Sequence, residues 1–212
     1  MSITIPSESK KFNRLYNHNP LVKRFIIVSG LPASGKSLAK NVCEKLNIQA
    51  IEMSEILKEF INNSQESVIR NLQNVDLRKA GHIIRKEKGK NFVAKITDNF
   101  IKNNHISTGV IIGCRNTEEL DYFIKEYGKE NVKLIYIRVD ENVRIDRWLK
   151  RNKPNDPKSI EEANLMTKNE LDYGIKKLEE IADFIISNNG SIEEFKKKLE
   201  EIIFSTLIKE KL

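Results

Sequence analysis

The chain contains the octet Gly30-Leu31-Pro32-Ala33-Ser34-Gly35-Lys36-Ser37, which completes the phosphate-loop pattern G-x-x-x-x-G-K-S. The apolar run 25–28 lies just before the octet and predicts a buried parallel strand. Residues 37–46 follow it, with Leu38, Val42 and Leu46 spaced to share one face of a helix. Because strand, loop and helix occur in the required order, we favour a phosphate-binding loop over a glycine-rich turn before an ordinary helix.

The octet predicts a binding site for a nucleoside triphosphate and Mg²⁺. Backbone N–H groups of such a loop surround phosphates at a helix N-terminus, where the helix dipole favours anions. Lys36 is expected to reach the β- and γ-phosphates, and the Ser37 hydroxyl to bind the metal. Gly35 is expected because a side chain there would hold the backbone away from the phosphate. The expected nucleotide contacts are Gly30, Pro32, Ala33, Ser34, Gly35, Lys36, Ser37 and Leu38.

Length and composition fit one globular domain. A chain of 212 residues can bury a sizeable core, and no run of about eighteen apolar residues predicts a membrane span. The start, MSITIPSESKK, lacks the apolar segment of a signal peptide, so we expect a cytoplasmic protein without membrane contact. Cys43 and Cys114 are expected to be reduced residues in or near the core. The net charge of +7 fits a protein that handles phosphates, but nucleic-acid affinity would give the same balance.

Strands and helices alternate along the chain after a polar N-terminal tail at 1–22. Strands are predicted at 25–28, 49–53, 109–113, 132–139 and 184–187. One helix is predicted to start from a cap at Ser54 and to end at a polar break near 62–66, and others are predicted at 75–88 and 91–102. This alternation predicts an α/β fold of the P-loop NTPase type, with a parallel five-stranded sheet flanked by helices in one domain at 23–212. Ligands of such sheets bind at the carboxyl ends of the strands.

The segment 144–157 carries cations suited to phosphoryl transfer, which depends mostly on positioning and on neutralising charge. Arg144, Arg147 and Arg151 recur at helical spacing and lead into a loop rich in Pro, Asn and Asp. We interpret residues 147–160 as a small lid, with Arg147 and Arg151 as catalytic candidates, because a guanidinium donates paired hydrogen bonds to phosphate. The alternative is a solvated basic helix end that the helix dipole stabilises.

Two further polar positions follow predicted strands. Arg115 comes directly after the third strand and is expected to bind the phosphate or carboxylate of a substrate, rather than to be a surface residue at a loop start. Asn188 follows the fifth strand and is a candidate for reading the edge of the nucleotide base. The alternative there is an ordinary Asn-Gly turn, with Ser191 capping the next helix.

Acidic candidates are few. The third strand ends at Ile112 and Gly113, where such sites usually carry a carboxylate near the metal. Glu52, Glu55 and Asp140 remain, and we favour Glu55 as the catalytic acid because it lies in the first turn of a helix leaving the expected site. An ordinary first-turn acid stabilised by the helix dipole would look the same. The three histidines show no spacing typical of a metal site and are interpreted as structural: His18, His82 and His105.

Several later motifs, in the same order as here, resemble those of one group of proteins. They are Met53-Ser54-Glu55, the segment 85–94 (RKEKGKNFVA), the segment 112–120 (IGCRNTEEL), Arg147 with Arg151 and Asp156-Pro157, and the segment 182–191 (ADFIISNNGS). Over about residues 24–200 the chain is similar to the dephospho-CoA-kinase-related proteins, relatives of the nucleoside monophosphate kinases. The resemblance implies a P-loop kinase fold with ATP, Mg²⁺ and a mobile lid. Three positions depart from it, because that group usually has Asp at Ile112, Asp at Glu55 and Arg at Lys58.

The motifs and the resemblance together favour a kinase that moves the γ-phosphoryl group of ATP to a small acceptor, with a nucleoside monophosphate as the first choice. Dephospho-CoA is the alternative acceptor, although the second strand ends in 51–53 (IEM) rather than in an acidic cluster. A nucleotide-dependent switch or a nucleic-acid-associated ATPase is the alternative from another class. The missing acid at Ile112 favours the switch, whereas Arg115 and the lid arginines favour the kinase.

Overall fold

A computed structural model describes residues 23–208. Five parallel strands form its sheet in the order β2-β3-β1-β4-β5. Their bounds are β1 Arg24–Ser29, β2 Gln49–Glu52, β3 Thr108–Cys114, β4 Val132–Arg138 and β5 Phe184–Ser187. The parallel five-stranded sheet flanked by helices confirms the α/β prediction. The N-terminal tail predicted at 1–22 lies outside the described residues.

Ten α-helices in the described part of the chain connect and follow the strands. They are α1 Leu38–Leu46, α2 Met53–Asn63, α3 Ser67–Arg70, α4 Leu77–Lys88, α5 Phe92–Asn103, α6 Thr117–Tyr127, α7 Glu141–Arg151, α8 Ile160–Asp172, α9 Ile175–Glu180 and α10 Ile192–Leu207. Two short 3₁₀ turns, Asn71–Asn74 and Lys129–Asn131, follow α3 and α6. Within residues 23–208, no helix is long and apolar enough to cross a bilayer.

The sheet is buried on both faces, as a parallel sheet requires. The side chains of β1 alternate between two apolar layers, with Phe25 and Ile27 in one and Ile26 and Val28 in the other. The first layer is completed mainly by α2, α4, α5, α6 and α9, and the second by α1 and α10. Because β1 lies between β3 and β4, the loop that follows it emerges at the middle of the sheet edge.

The pairing of β1 with β3 slips by one residue at this edge. Val28 is opposite Ile112, whereas Ser29 is opposite Cys114, so Gly113 is an extra residue in β3. Gly113 has φ +109°, a backbone conformation that side chains disfavour, and Ser29 Oγ donates a hydrogen bond to the carbonyl of Cys114 at 2.7 Å. The bulge turns Cys114 into the same apolar layer as Ile111, and it redirects the chain that carries the following loop.

Local predictions about caps and breaks had mixed outcomes. The cap at Ser54 is wrong, because β2 leads straight into α2 and Glu52 occupies the cap position while its backbone is still extended. The polar break is real but narrower than expected, since α2 continues to Asn63 and α3 begins at Ser67. Ser191 does cap α10 and accepts the N–H of Glu194 at 3.2 Å. The two cysteines are free and buried, as predicted.

The bulge predicts a backbone cost at Gly113. In Gly113→Ala the new methyl group would meet nothing closer than Met53 Cβ at 3.8 Å, so only the disfavoured φ opposes it. We expect a loss of about 1–2 kcal/mol in the free energy of unfolding, measured by urea denaturation. Gly174→Ala is the matched control, with φ +93° in open space, and should lose a similar amount. A neutral Gly113→Ala would contradict the bulge.

Candidate functional site

A cleft of about 680 Å³ opens where the carboxyl ends of β1, β2 and β3 meet. We call it the central cleft. Nine of the site residues expected from the sequence line it: Gly30, Pro32, Ala33, Gly35, Lys36, Ser37, Glu55, Arg115 and Arg151. Four do not, namely Ser34, Leu38, Arg147 and Asn188. The structure therefore brings most of the predicted site together, and it gives the remaining residues other surroundings.

The octet forms a tight loop between β1 and α1. Ser34 N–H donates to the carbonyl of Leu31 at 3.1 Å, and Ala33 adopts φ +61°, unusual for a residue with a side chain. Lys36 folds back over the loop, and its Nζ donates to the carbonyls of Gly30 at 2.5 Å and Leu31 at 2.8 Å. Burial, and after it the positive charge of Arg115, lowers the pKa of Lys36 to about 7. Two backbone carbonyl oxygens of the loop thus hold the amino group of Lys36 in the cleft lining.

Asn188 holds this loop from behind. Its buried amide Nδ2 donates to the carbonyl of Ser34 at 2.8 Å, and a Cβ placed on Gly35 would overlap that same nitrogen. The amide nitrogen of Asn188 is therefore engaged by the loop, while the expectation that Asn188 or the nearby backbone reads a base edge stays a prediction. The structure also gives a second reason for glycine at position 35, namely contact with Asn188. Leu38 and Ser34 likewise face away from the cleft, Leu38 toward the core layer that contains α10 and Ser34 into the interior.

Two of the three arginines on α7 serve the loop rather than the cleft. Arg144 is buried, and its Nη2 donates to Thr167 Oγ1 at 2.8 Å while its Nη1 approaches the carbonyl of Pro32 at 3.5 Å. Arg147 Nη1 donates to the carbonyl of Asn188 at 2.5 Å. The helical spacing of the three arginines indicated one shared face directed at the phosphates. The guanidinium groups of Arg144 and Arg147 instead bond to backbone and side-chain oxygens around the phosphate loop.

Arg151 lines the cleft together with the loop 152–159, which we call the lid loop. Its Nε and Nη2 bind both oxygens of Asp156, at 2.8 and 2.5 Å. Trp148 Nε1 and the backbone N–H of Lys153 also donate to Asp156, at 3.1 and 2.9 Å. Burial opposes ionisation of this carboxyl, but the hydrogen bond from Arg151 and the others lower the pKa of Asp156 to about 2. Asp156 thus fixes both the start of the lid loop and the position of Arg151.

Arg78 joins the opposite wall of the cleft to the lid loop. Its Nη2 donates to the carbonyl of Asn155, and its guanidinium lies 5.4 Å from the centre of the Trp148 ring. Asp76 caps α4 by accepting the N–H groups of Arg78 and Lys79 and also pairs with the Arg78 side chain. The α4 wall and the lid loop are therefore in contact across the mouth of the cleft.

Arg115 lies in the wall of the cleft, near enough to the phosphate loop for its charge to act on Lys36, and two buried acids accept its hydrogen bonds. Its Nη1 donates to Glu170 Oε1 at 2.5 Å, and its backbone N–H donates to Glu119 Oε2 at 2.8 Å. Glu119 also pairs with Arg85 Nη2 at 2.7 Å, and Arg85 lines the cleft. Glu119 and Arg85 were visible only as members of family-like motifs, and nothing in the local pattern indicated Glu170.

His82 lies behind this cluster. Its ring stacks on Tyr173 with the centroids 3.6 Å apart, and its Nε2 is 3.8 Å from Glu170 Oε1. Burial lowers the pKa of His82 to about 4, so the ring is neutral near pH 7. A packing role agrees with the structural interpretation, although the histidine touches the wall of the cleft more closely than its sequence position suggested.

The acids in the cleft are arranged loosely for a metal. Glu55 is exposed and lines the cleft from the first turn of α2, whereas Glu52 is paired with Lys40 at 3.1 Å. Asp140 precedes α7 outside the cleft lining, and Ile112 is buried at the strand end. Within residues 23–208, no three His, Cys, Asp or Glu side chains group as metal ligands do. Mg²⁺ would therefore have to be bound mainly by phosphates and water, which its reluctance to dehydrate favours, and the Ser37 hydroxyl in the cleft lining could supply one protein ligand.

A parallel sheet, a phosphate loop at its central strand and a lid over the cleft define a P-loop protein of the kinase-like type. In agreement, a family model described as "AAA domain" matches residues 29–164. The chain belongs to this family, and it also belongs with the UPF0200 proteins, which match it across most of its length.

Three of these relatives are at least 30% identical to this chain. The UPF0200 proteins of Sulfurisphaera tokodaii and Pyrococcus abyssi are 35% and 30% identical, covering 85% and 84% of this chain and 96% and 94% of their own lengths. A UPF0200/UPF0201 protein of Archaeoglobus fulgidus is 32% identical over 86% of this chain. The chain spans just over half, 56%, of the Archaeoglobus relative.

Two solved structures with the same fold are kinases by their descriptions. Dephospho-CoA kinase from Campylobacter jejuni covers 87% of this chain and 98% of its own, with a TM-score of 0.50 and 20% identity. Shikimate kinase from Bacteroides thetaiotaomicron covers 86% and 96%, with a TM-score of 0.52 and 14% identity. At these identities the likeness concerns the fold alone.

The bonds to Asp156 predict a dependence of stability on pH. The carboxyl ionises near pH 2 when folded and near 3.8 when unfolded, so its contribution is complete above about pH 4 and is lost as the pH falls toward 2. Asp156→Asn should lower the free energy of unfolding at pH 7 by about 2 kcal/mol and flatten its decline below pH 4. Urea denaturation from pH 3 to pH 7 measures both effects.

Asp146→Asn is the matched control, because Asp146 lies on α7, the helix that also carries Arg151. Asp146 is exposed and pairs only with Lys150 at 2.9 Å, so its loss should change the free energy of unfolding by less than about 0.5 kcal/mol. If the two variants unfold alike at every pH, Asp156 does not anchor the lid loop.

Proposed function

We propose that this chain is a kinase that uses ATP and Mg²⁺ to phosphorylate a nucleoside monophosphate. The observation that supports it best is the lining of the central cleft, which contains both Lys36 and Arg115. A donor phosphate on the loop and an anionic acceptor at Arg115 would therefore share one cavity. Phosphoryl transfer requires this kind of alignment together with cations around the moving group, and it needs little covalent chemistry from the protein.

The far half of the cleft suits an acceptor with a flat apolar body and an anionic group. Its walls carry Leu57, Ile61 and Val75 from α2 and the segment that follows α3, and Val93 from α5. Arg115 and Arg85 supply the positive charge at the edge of these walls. A nucleobase would pack against the aliphatic side chains, and a phosphate would accept paired hydrogen bonds from Arg115.

On the donor side, the backbone of residues 30–37 and Lys36 would hold the triphosphate. The Ser37 hydroxyl would contribute a ligand to Mg²⁺, which when bound neutralises charge on the phosphates. Glu55 is the exposed acid nearest the start of α2 and would orient the attacking oxygen or accept its proton. Arg151 would reach the transferring group from the C-terminal end of α7, next to the lid loop. Nζ of Lys36 would exchange its two carbonyl partners for phosphate oxygens.

Removing the loop lysine tests the donor half. Lys36→Ala should lower kcat by at least about a hundredfold, because one charge-assisted contact to the transferring phosphoryl group is lost in the transition state. Lys45→Ala, at the exposed C-terminal end of α1, the helix that follows the loop, is the control and should keep the wild-type rate. Both variants should show wild-type circular dichroism. An unchanged rate in Lys36→Ala would show that the loop does not carry the reaction.

The acid is tested in the same assay. Glu55→Gln keeps the size of the side chain and removes its charge, so turnover should fall by about tenfold or more while the Kd for ATP stays the same. Glu59→Gln, one turn further along α2 and outside the cleft lining, should have no effect on the rate. Equal rates for both variants and the wild type would place the acid elsewhere.

The acceptor is identified by a panel with the wild-type chain. ADP release is measured with the nucleoside monophosphates, dephospho-CoA, shikimate, gluconate and single-stranded nucleic acid, each at several concentrations of Mg²⁺. Saturable release with a monophosphate, together with the diphosphate product on chromatography, would support the proposal. Release that depends on nucleic acid and yields only inorganic phosphate would overturn it in favour of an ATPase.

A further inference from the structure

We propose that Glu170 is the positioning residue for Arg115, holding its guanidinium at the acceptor end of the central cleft. This inference rests on the proposed function, since it assigns the acceptor's anionic group to Arg115. Glu170 lies near the end of α8, the helix that follows the lid loop, and lines the cleft with only 3% of its surface exposed. The pairing therefore joins residues 55 positions apart, from two sides of the cleft.

The geometry favours a fixed guanidinium rather than a mobile surface arginine. Glu170 Oε1 accepts a hydrogen bond from Arg115 Nη1 at 2.5 Å, and Glu119 accepts the backbone N–H of Arg115 at 2.8 Å. Two buried carboxylates thus hold Arg115, one at its guanidinium group and the other at its backbone N–H. Of the Arg115 side-chain nitrogens, Nη1 is the one that bonds to Glu170, which leaves Nε and Nη2 to meet an anion in the cleft.

The surroundings of Glu170 favour positioning over proton transfer. Burial favours the neutral acid, but Arg115 in direct contact and Lys36 across the cleft keep the pKa of Glu170 below its ordinary value. A carboxylate that stays ionised and committed to a guanidinium is a poor base near neutral pH. It also supplies negative charge beside Lys36, where Arg115, Arg151 and Arg144 are all positive.

The location of Glu170 also ties the acceptor site to the phosphate loop. The same helix carries Thr167, whose Oγ1 accepts a hydrogen bond from Arg144 Nη2 at 2.8 Å. Arg144 also reaches the carbonyl of Pro32 in the phosphate loop. One turn of α8 therefore contacts an arginine of the acceptor wall and an arginine that supports the nucleotide loop. A shift of α8 would move both, so the distance between donor and acceptor depends on this helix.

The first test measures the position of Arg115 without any substrate. In the ¹⁵N-labelled full chain, the Nε–Hε signal of Arg115 is identified by its loss in Arg115→Lys. We expect Glu170→Gln to move this signal toward those of exposed arginines, while Asp172→Asn, an exposed acid two residues further along α8, leaves it in place. An unmoved signal in Glu170→Gln would overturn the inference. If that variant fails to fold, Glu170→Asp, which retracts the charge by one methylene, decides by the same criterion.

The second test separates positioning from general stability by a double-mutant cycle. Glu170→Gln should lower kcat/KM for the acceptor by about tenfold to a hundredfold and change KM for ATP by less than about twofold, because a misplaced contact affects only the acceptor end. In the Arg115→Ala background the same change should have no further effect. Equal losses in both backgrounds would show that Glu170 does not act through Arg115. A wild-type chain that phosphorylates no acceptor would refute the proposed function, whereas the arginine signal would still decide the role of Glu170.

Discussion

The hydrogen bond from Ser29 Oγ to the carbonyl of Cys114 marks the constraint on which the cleft depends. It closes the β1–β3 pairing after Gly113 has added one residue to β3. Without this extra residue the two strands would end in step, and the chain after β3 would leave on the other face of the sheet. With it, Arg115 enters the wall facing the phosphate loop, close enough to influence Lys36. The one-residue bulge at Gly113 thus determines which side chains line the same cavity.

Charge balance explains how so many cations coexist in this cavity. Arg85 and Arg115 are each paired with a buried glutamate, and Arg151 is paired with Asp156. Glu119 and Asp156 each accept several hydrogen bonds, and Glu170 accepts one from Arg115, so the ions are hydrogen-bonded as well as paired, which a buried charge requires. The pairs also immobilise the guanidinium groups before any ligand arrives, and this lowers the entropy lost on binding. By contrast, Lys36 uses only backbone oxygens, which a phosphate can replace.

The sequence predicted the five strands, the phosphate loop and the location of Arg115, because each depends on local spacing and on a rule about strand ends. It could not predict Glu170, which meets Arg115 only after α8 has packed against the cleft. The arginines of α7 show the same limit, since a period of 3.6 residues gives a common face but not the partner of that face. Arg147 and Arg144 therefore appeared equivalent to Arg151, although only Arg151 lines the cleft.

The contact between Asn188 and the phosphate loop has a consequence for the order of folding. The two bonded groups are 154 residues apart, although the loop itself is made of consecutive residues. During synthesis the chain emerges from its N-terminal side, so the octet is complete long before β5 and Asn188 exist. Until they dock, the carbonyl of Ser34 has no amide partner, and the loop has not acquired its final support. A bound nucleotide would consequently add little to the stability of a nascent chain. Stabilisation by a ligand would come only in the last stage of folding, after β5 and Asn188 have docked.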